Sequence, residues 1–177
     1  MVRFGILGAG RIGKVHARTI ADSGKAQVAL VADAMADAAS SLAASVGGQV
    51  ASVEQVLASD VDAILIATPT DTHADLIEQA ARAGKAILCE KPVSLSVARI
   101  EQCLPVVEKA GVPLMIGFNR RFDPNFAALQ KRLMQLQTRP LTLRPQTQHF
   151  SGSCLGLLFS ACWEVHWVEA HLAMTFD

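Results

Sequence analysis

No excess of charge of either sign marks this sequence. Its 16 Lys and Arg residues are matched by 16 Asp and Glu residues, so the net charge is zero. That balance argues against a basic nucleic-acid surface and against an acidic, solvating tail. No apolar run reaches the ~18–20 residues that a helical bilayer crossing takes. The most apolar late segment, CLGLLFSACW, is too short. The first residues, MVRFGILGAG, lack the long apolar stretch of a signal peptide. The four cysteines fall at irregular positions and form no recognisable disulfide framework. A reduced, cytoplasmic setting is expected. There is no internal repeat and no low-complexity tract beyond the alanine richness of residues 34–44.

What the sequence does hold is the material of a globular domain. Its 177 residues are 51% hydrophobic and 18% charged, enough to bury a sizeable core. Strands that are apolar throughout alternate with segments of helical spacing. Strands are expected at 2–7, 27–32, 49–51, 62–67, 85–89 and 112–117. Helices are expected at 11–23, 35–46, 53–57, 70–83, 96–110 and 123–134. In the first helix Ile12, Val15, His16 and Ile20 fall near one face. This alternation predicts an α/β fold, a doubly wound parallel sheet covered on both faces.

The first turn has chemistry in it. GAGRIG, Gly8 to Gly13, matches G-x-G-x-x-G with a strand before it and a helix after it. Gly8 suits the tight turn, Gly10 lets backbone approach a pyrophosphate, and Gly13 lets helix and strand pack closely. The helix N-terminus offers free N–H groups and a partial positive charge to phosphates. Arg11 and Ile12 open that helix, and Arg11 adds charge on the solvent side. Asp33 ends the second strand, twenty residues after Gly13. A carboxylate there accepts hydrogen bonds from an adenosine ribose and repels a 2′-phosphate, which favours NAD over NADP. The bland alternative is an empty glycine turn with Asp33 as a helix cap.

Two later stretches sit at strand ends, where open α/β sheets bind ligands. ATPTDTH, residues 67–73, follows the fourth strand. There His73 is either a surface or capping histidine or a neighbour of the cofactor. CEKP, residues 89–92, places Lys91 after the fifth strand. Lys91 is either a solvated loop lysine or a group able to hydrogen-bond a substrate hydroxyl or a forming carbonyl. Glu90 can orient it or contact a ribose, and Pro92 stiffens the turn and is a candidate for the cis form.

Gly8–Gly13, Asp33, ATPTDTH, CEKP and GFNRRFDPNF occur in the order seen in the Gfo/Idh/MocA oxidoreductases, which this sequence resembles over residues 1–134. The last motif looks most like the inositol 2-dehydrogenase branch. The resemblance implies a Rossmann-type NAD-binding domain. It implies that Lys91 is the active-site lysine, with Glu90 and Pro92 beside it. It further implies that Thr68, Pro69 and His73 lie along the dinucleotide and that Asn119 and Arg120 face a small polyol or sugar. Arg120 and Arg121 are alternatively a solvated pair. The implied reaction is hydride transfer from a secondary alcohol of a cyclic polyol to NAD, giving a ketone.

After residue 134 the composition changes. Residues 135–177 hold both tryptophans, two of the four cysteines and three of the five histidines. Only a strand at 141–143 and a helix around 162–174 suggest themselves. Cys154, Cys162, His166 and His171 miss the usual zinc spacings, so no metal site is expected. Family members are nearly twice as long. The resemblance implies that their second domain carries an Asp and a His, the latter a general base, in a D-M-T-x-H-D-F-D type segment, and that it supports homo-oligomers. Here Leu172–Asp177 is a faint echo in which Ala173 stands for the acid and the histidine is missing. Residues 135–177 are therefore expected to be an atypical tail, a truncated or frameshifted start of a substrate domain. In-frame restoration of the segment in another translation of the gene is the check.

Overall fold

A computed structural model describes residues 1–137, with side chains through residue 134. Two compact units divide the chain, residues 1–120 and 121–177. The expected domain limit at residue 134 falls inside the last described helix. The strand suggested at 141–143, the helix at 162–174 and the segment with Cys154, Cys162, His166 and His171 lie outside the described residues.

The first unit runs β1 (Val2–Leu7), α1 (Arg11–Asp22), β2 (Ala26–Ala32), α2 (Ala36–Val46), β3 (Gln49–Val50), α3 (Val53–Ala58), β4 (Ala63–Ile66), α4 (His73–Arg82), β5 (Ala86–Cys89), α5 (Val97–Ala110) and β6 (Leu114–Ile116). The six strands form one sheet of order β3-β2-β1-β4-β5-β6. Every pairing is parallel. The doubly wound arrangement expected from the sequence is the observed one.

The apolar strands follow from this layering. All four residues of β4 are buried. Ile64 and Ile66 enter the core beneath α4 and α5, with Ile77, Ala80, Cys103 and Val107. Leu65 points the other way, into the core with Ala17 of α1 and Leu42 and Ala43 of α2. Side chains alternate across a strand, so a sheet covered on both faces needs apolar residues at every position. Full burial of each such aliphatic contributes about 1.5–3 kcal/mol.

The buried face of α1 is one the sequence reading did not specify, and the start of the fourth helix needs correction. Ile12 and Val15 of α1 are 38% and 56% exposed, while Gly13 and Ala17 form the buried face. The helix lies so near the first turn that only small residues fit between them, and His16 and Ile20 are left half-buried at the flanks. The helix expected from residue 70 begins instead as a 3-10 turn, Thr70–Thr72, with α4 starting at His73. The Thr72 hydroxyl lies within hydrogen-bond distance of the Pro69 carbonyl and Thr68 Oγ1, at 2.8 and 2.7 Å. Its N–H donates to the Pro69 carbonyl too, which tightens the turn.

Arg99 ties α5 to α4, donating to Asp75 and Glu78 at 2.5 Å each. That guanidinium, helped by Arg82, holds the Glu78 carboxyl below its usual range. Cys89 and Cys103 are free and buried. Burial, with Glu90 adding to it, pushes the Cys89 thiol up to about 12. Neither thiol is expected to react with a thiol-directed reagent at mild pH in the native state, and both are expected to react in urea. Peptide mapping after labelling is the check. Native-state labelling of Cys89 contradicts the burial described here.

In the second unit a 14-residue helix, α6 (Pro124–Gln137), is the described element. Asp123 caps it, its carboxylate accepting from the Asn125 N–H at 2.8 Å. No described helix is long and apolar enough to cross a membrane.

Candidate dinucleotide site

The strand order reverses direction between β1 and β4, so the connections that leave their carboxyl ends run to opposite sides and leave a crevice. Gly8 closes β1 at φ +103°, and a Cβ there would lie 2.5 Å from the Ala67 carbonyl oxygen at the end of β4. Only glycine fits such backbone. A Cβ on Gly13 would lie 1.9 Å from the Gly8 carbonyl oxygen, so the helix lies directly against the turn. Gly10 differs from both. It is the N-cap of α1, no side chain caps that helix, and a Cβ at Gly10 would meet nothing within 4 Å. The helix thus begins beside open space with unpaired N–H groups, a fitting cradle for a diphosphate. Arg11 and Ile12 are exposed on its first turn.

Asp33 does more than the sequence suggests. Its Oδ2 accepts the Ala9 N–H at 2.6 Å, and its Oδ1 accepts the Met35 N–H at 2.7 Å. The acid therefore ties the glycine turn to the end of β2. Two oxygens have about four acceptor sites, so each keeps a lone pair for a ribose hydroxyl.

The end of β4 gives Thr68 and Pro69, and the end of β5 gives Glu90, Lys91 and Pro92. His73 joins these two turns. Its Nδ1 lies 2.8 Å from the Pro92 carbonyl oxygen and its Nε2 2.8 Å from the Thr68 carbonyl oxygen. It is 1% exposed, so the alternative of a surface histidine is set aside. A neutral imidazole has one N–H and donates to one carbonyl; a doubly protonated ring donates to both.

Glu90 is held differently. Its N–H donates to the Ile66 carbonyl, which keeps the turn in line with β4. Its Oε1 lies 2.6 Å from Nε2 of His16, on α1. A Cβ on Gly117, just past β6, would come within 3.0 Å of the same oxygen, so the carboxylate lies close against the backbone there. Lys91 is exposed between these neighbours, and the Lys91–Pro92 peptide is cis, as the sequence reading allowed.

Asn119 and Arg120 are exposed on a 3-10 turn that follows β6. Because β6 is parallel to the rest, that turn also leaves the carboxyl edge of the sheet. The structure thus joins Asp33 to the glycine turn, and Thr68, His73 and Pro92 to each other. His16 is the residue that sequence reasoning overlooked as a site residue. Its spacing marked it only as part of a helix face, and its partner lies 74 residues away.

A six-stranded parallel sheet with this glycine turn and this acid defines a dinucleotide-binding domain of the doubly wound class. A family model described as an oxidoreductase family with an NAD-binding Rossmann fold matches residues 2–118. The chain belongs to that family, Gfo/Idh/MocA. An inositol 2-dehydrogenase from Rhizobium meliloti (strain 1021) is 53% identical over 133 residues, which are 75% of this chain and 40% of that protein. A solved myo-inositol dehydrogenase from Corynebacterium glutamicum ATCC 13032 superposes with TM-score 0.70 at 38% identity, over 77% of this chain and 42% of that one. A scyllo-inositol dehydrogenase from Lactobacillus casei, solved with NAD(H) and scyllo-inositol, matches with TM-score 0.71 at 27% identity over the same shares, 77% and 42%. The chain spans about two-fifths of the length of these relatives.

Proposed function

We propose that this domain binds NAD across the Gly8–Gly13 turn and serves the oxidation of a secondary alcohol on a cyclic polyol, with myo-inositol the first substrate to test. The observation that carries the reading is the open, uncapped start of α1 at Gly10, beside an acid already fastened to the same turn. Gly8, Gly10, Arg11, Ile12 and Gly13 hold the diphosphate, and Asp33 accepts from the adenosine ribose. Thr68 and Pro69 border the dinucleotide, and His73 serves it from below, through the carbonyls that it holds. Glu90 and Pro92 flank Lys91, and Asn119 and Arg120 hold the polyol.

NAD, when bound, would supply the hydride acceptor, chemistry that no side chain here provides. The protein's share is position and the proton. As the C–H hydride leaves, the hydroxyl must lose its proton; Lys91 in its neutral amine form would receive it, and the ammonium so formed would hydrogen-bond the new carbonyl oxygen. The histidine base expected of the longer relatives has no counterpart in Leu172–Asp177. A second reading follows from that and from the two-fifths coverage: a domain that binds NAD without turnover. A related enzyme acting on another sugar is the third. Calorimetry with NAD, beside NADH formation from myo-inositol and a sugar panel, separates them. Binding with turnover of inositol supports the first reading, and binding without any turnover the second. Absence of binding overturns all three.

Asp33→Ala is expected to weaken NAD binding about tenfold and to narrow the preference over NADP, since it removes an acceptor worth about 1.5 kcal/mol and the repulsion of a 2′-phosphate. Titration with both dinucleotides checks this. An unchanged ratio of the two affinities removes Asp33 from the ribose site.

A further inference from the structure

Two histidines, neither of them given a part in the proton or hydride transfer, lie on either side of the Lys91 turn. One comes from α1, the helix that starts at the glycine turn; the other opens α4. His16 takes hold of Glu90 at 2.6 Å, through a pair in which both side chains are largely buried, at 27% and 19% exposure. His73 has one ring nitrogen 2.8 Å from the Pro92 carbonyl oxygen and the other 2.8 Å from the Thr68 carbonyl oxygen at the end of β4, so its ring lies wedged between the two turns. Residues 90 and 92 are thus each fixed by an imidazole, from different helices. Lys91 lies between them with an exposed side chain.

A long amine has rotamer freedom to lose when it is held in one place. A fixed backbone at its root removes the uncertainty of where that chain begins, and leaves only the side-chain rotamers to settle. The charge-assisted contact to the Glu90 carboxylate is the stronger kind, and its half-burial shields it from solvent.

We propose that His16 and His73 are positioning residues that fix the Glu90–Pro92 turn from two sides and so hold the Lys91 amine at the mouth of the crevice. The use of that amine rests on the function proposed above; the fastening of the turn does not. The pair also couples the phosphate end of the site to the redox end. A dinucleotide that settles on the start of α1 settles on the helix that grips Glu90.

Reductive methylation with ¹³C-formaldehyde turns each lysine into an NMR reporter, and Lys91→Arg assigns the signal of Lys91. In His16→Leu the Lys91 signal is expected to shift and broaden, while those of Lys25 and Lys109 stay in place. His16→Gln, whose amide still donates to Glu90, is expected to restore the parent position. His73→Leu is expected to act like His16→Leu. Should it unfold, as thermal melting would show, the half-buried His16 variants carry the test alone. A Lys91 signal that is unmoved in His16→Leu, or moved equally by Leu and Gln, overturns the proposal. A parent Lys91 signal that ignores added NAD counts against the proposed function and leaves the fastening of the turn standing.

Discussion

Gly13→Ala is expected to destabilise the domain by about 3 kcal/mol, the upper range for an overpacked site, and to remove most of its NAD binding. The physical reason is a collision with backbone. The new methyl would lie 1.9 Å from the Gly8 carbonyl oxygen and 3.0 Å from its carbon. Neither atom is the end of a flexible side chain that can swing aside. Gly8 is itself fixed, with its N–H donating to the Ala32 carbonyl at 2.8 Å. The helix must therefore move away from the turn, and its N-terminal N–H groups move with it. Urea denaturation gives the stability and calorimetry the binding. Gly10→Ala is the informative partner, because a Cβ there meets nothing within 4 Å. It is expected to cost less than about 1 kcal/mol of stability, the range of a lost cap preference, yet still to weaken NAD by filling the phosphate's approach. If Gly10→Ala binds NAD as tightly as the parent, the diphosphate does not cross this turn.

If the proposed oxidation of myo-inositol holds for this chain, Lys91→Met is expected to lower NADH formation at least about 100-fold, the low end for losing a proton-transfer group. NAD binding is expected to change less than about threefold, because the loss belongs to the reacting state and not to the ground state. Lys91→Arg sharpens the test. Arginine carries a positive charge but cannot take up the alcohol proton, since it stays protonated, whereas a lysine in its neutral amine form can. Turnover preserved in Lys91→Arg would show that charge alone suffices and that the proton leaves by another route. Turnover lost in both variants, with binding kept, supports the amine as proton acceptor.

Much of this site is legible in the residues, because its parts are local. G-x-G-x-x-G needs only backbone arguments, and each glycine is used as its position implies: a left-handed turn at Gly8, open space at Gly10, close packing at Gly13. Strand ends follow from apolar runs, and in a parallel sheet every strand end belongs to one edge. That placed ATPTDTH and CEKP on the same side before any coordinates did. The first helix was harder. Helical spacing groups Ile12 and Val15 near one face, yet the residues that the helix buries are Gly13 and Ala17. Close approach selects small residues, and periodicity counts only large ones.

The sequence by itself determined a doubly wound sheet, the turn that opens its crevice and the acid that follows, since each shows in the order and spacing of residues along the chain. Only the tertiary structure decided what His16, His73 and Asp33 hold. Their partners lie 74, 19 and 24 residues away, across strands and helices, and hydrogen-bond geometry at 2.6–2.8 Å cannot be read along a chain. Such contacts exist only once the sheet has set the distance between its strand ends.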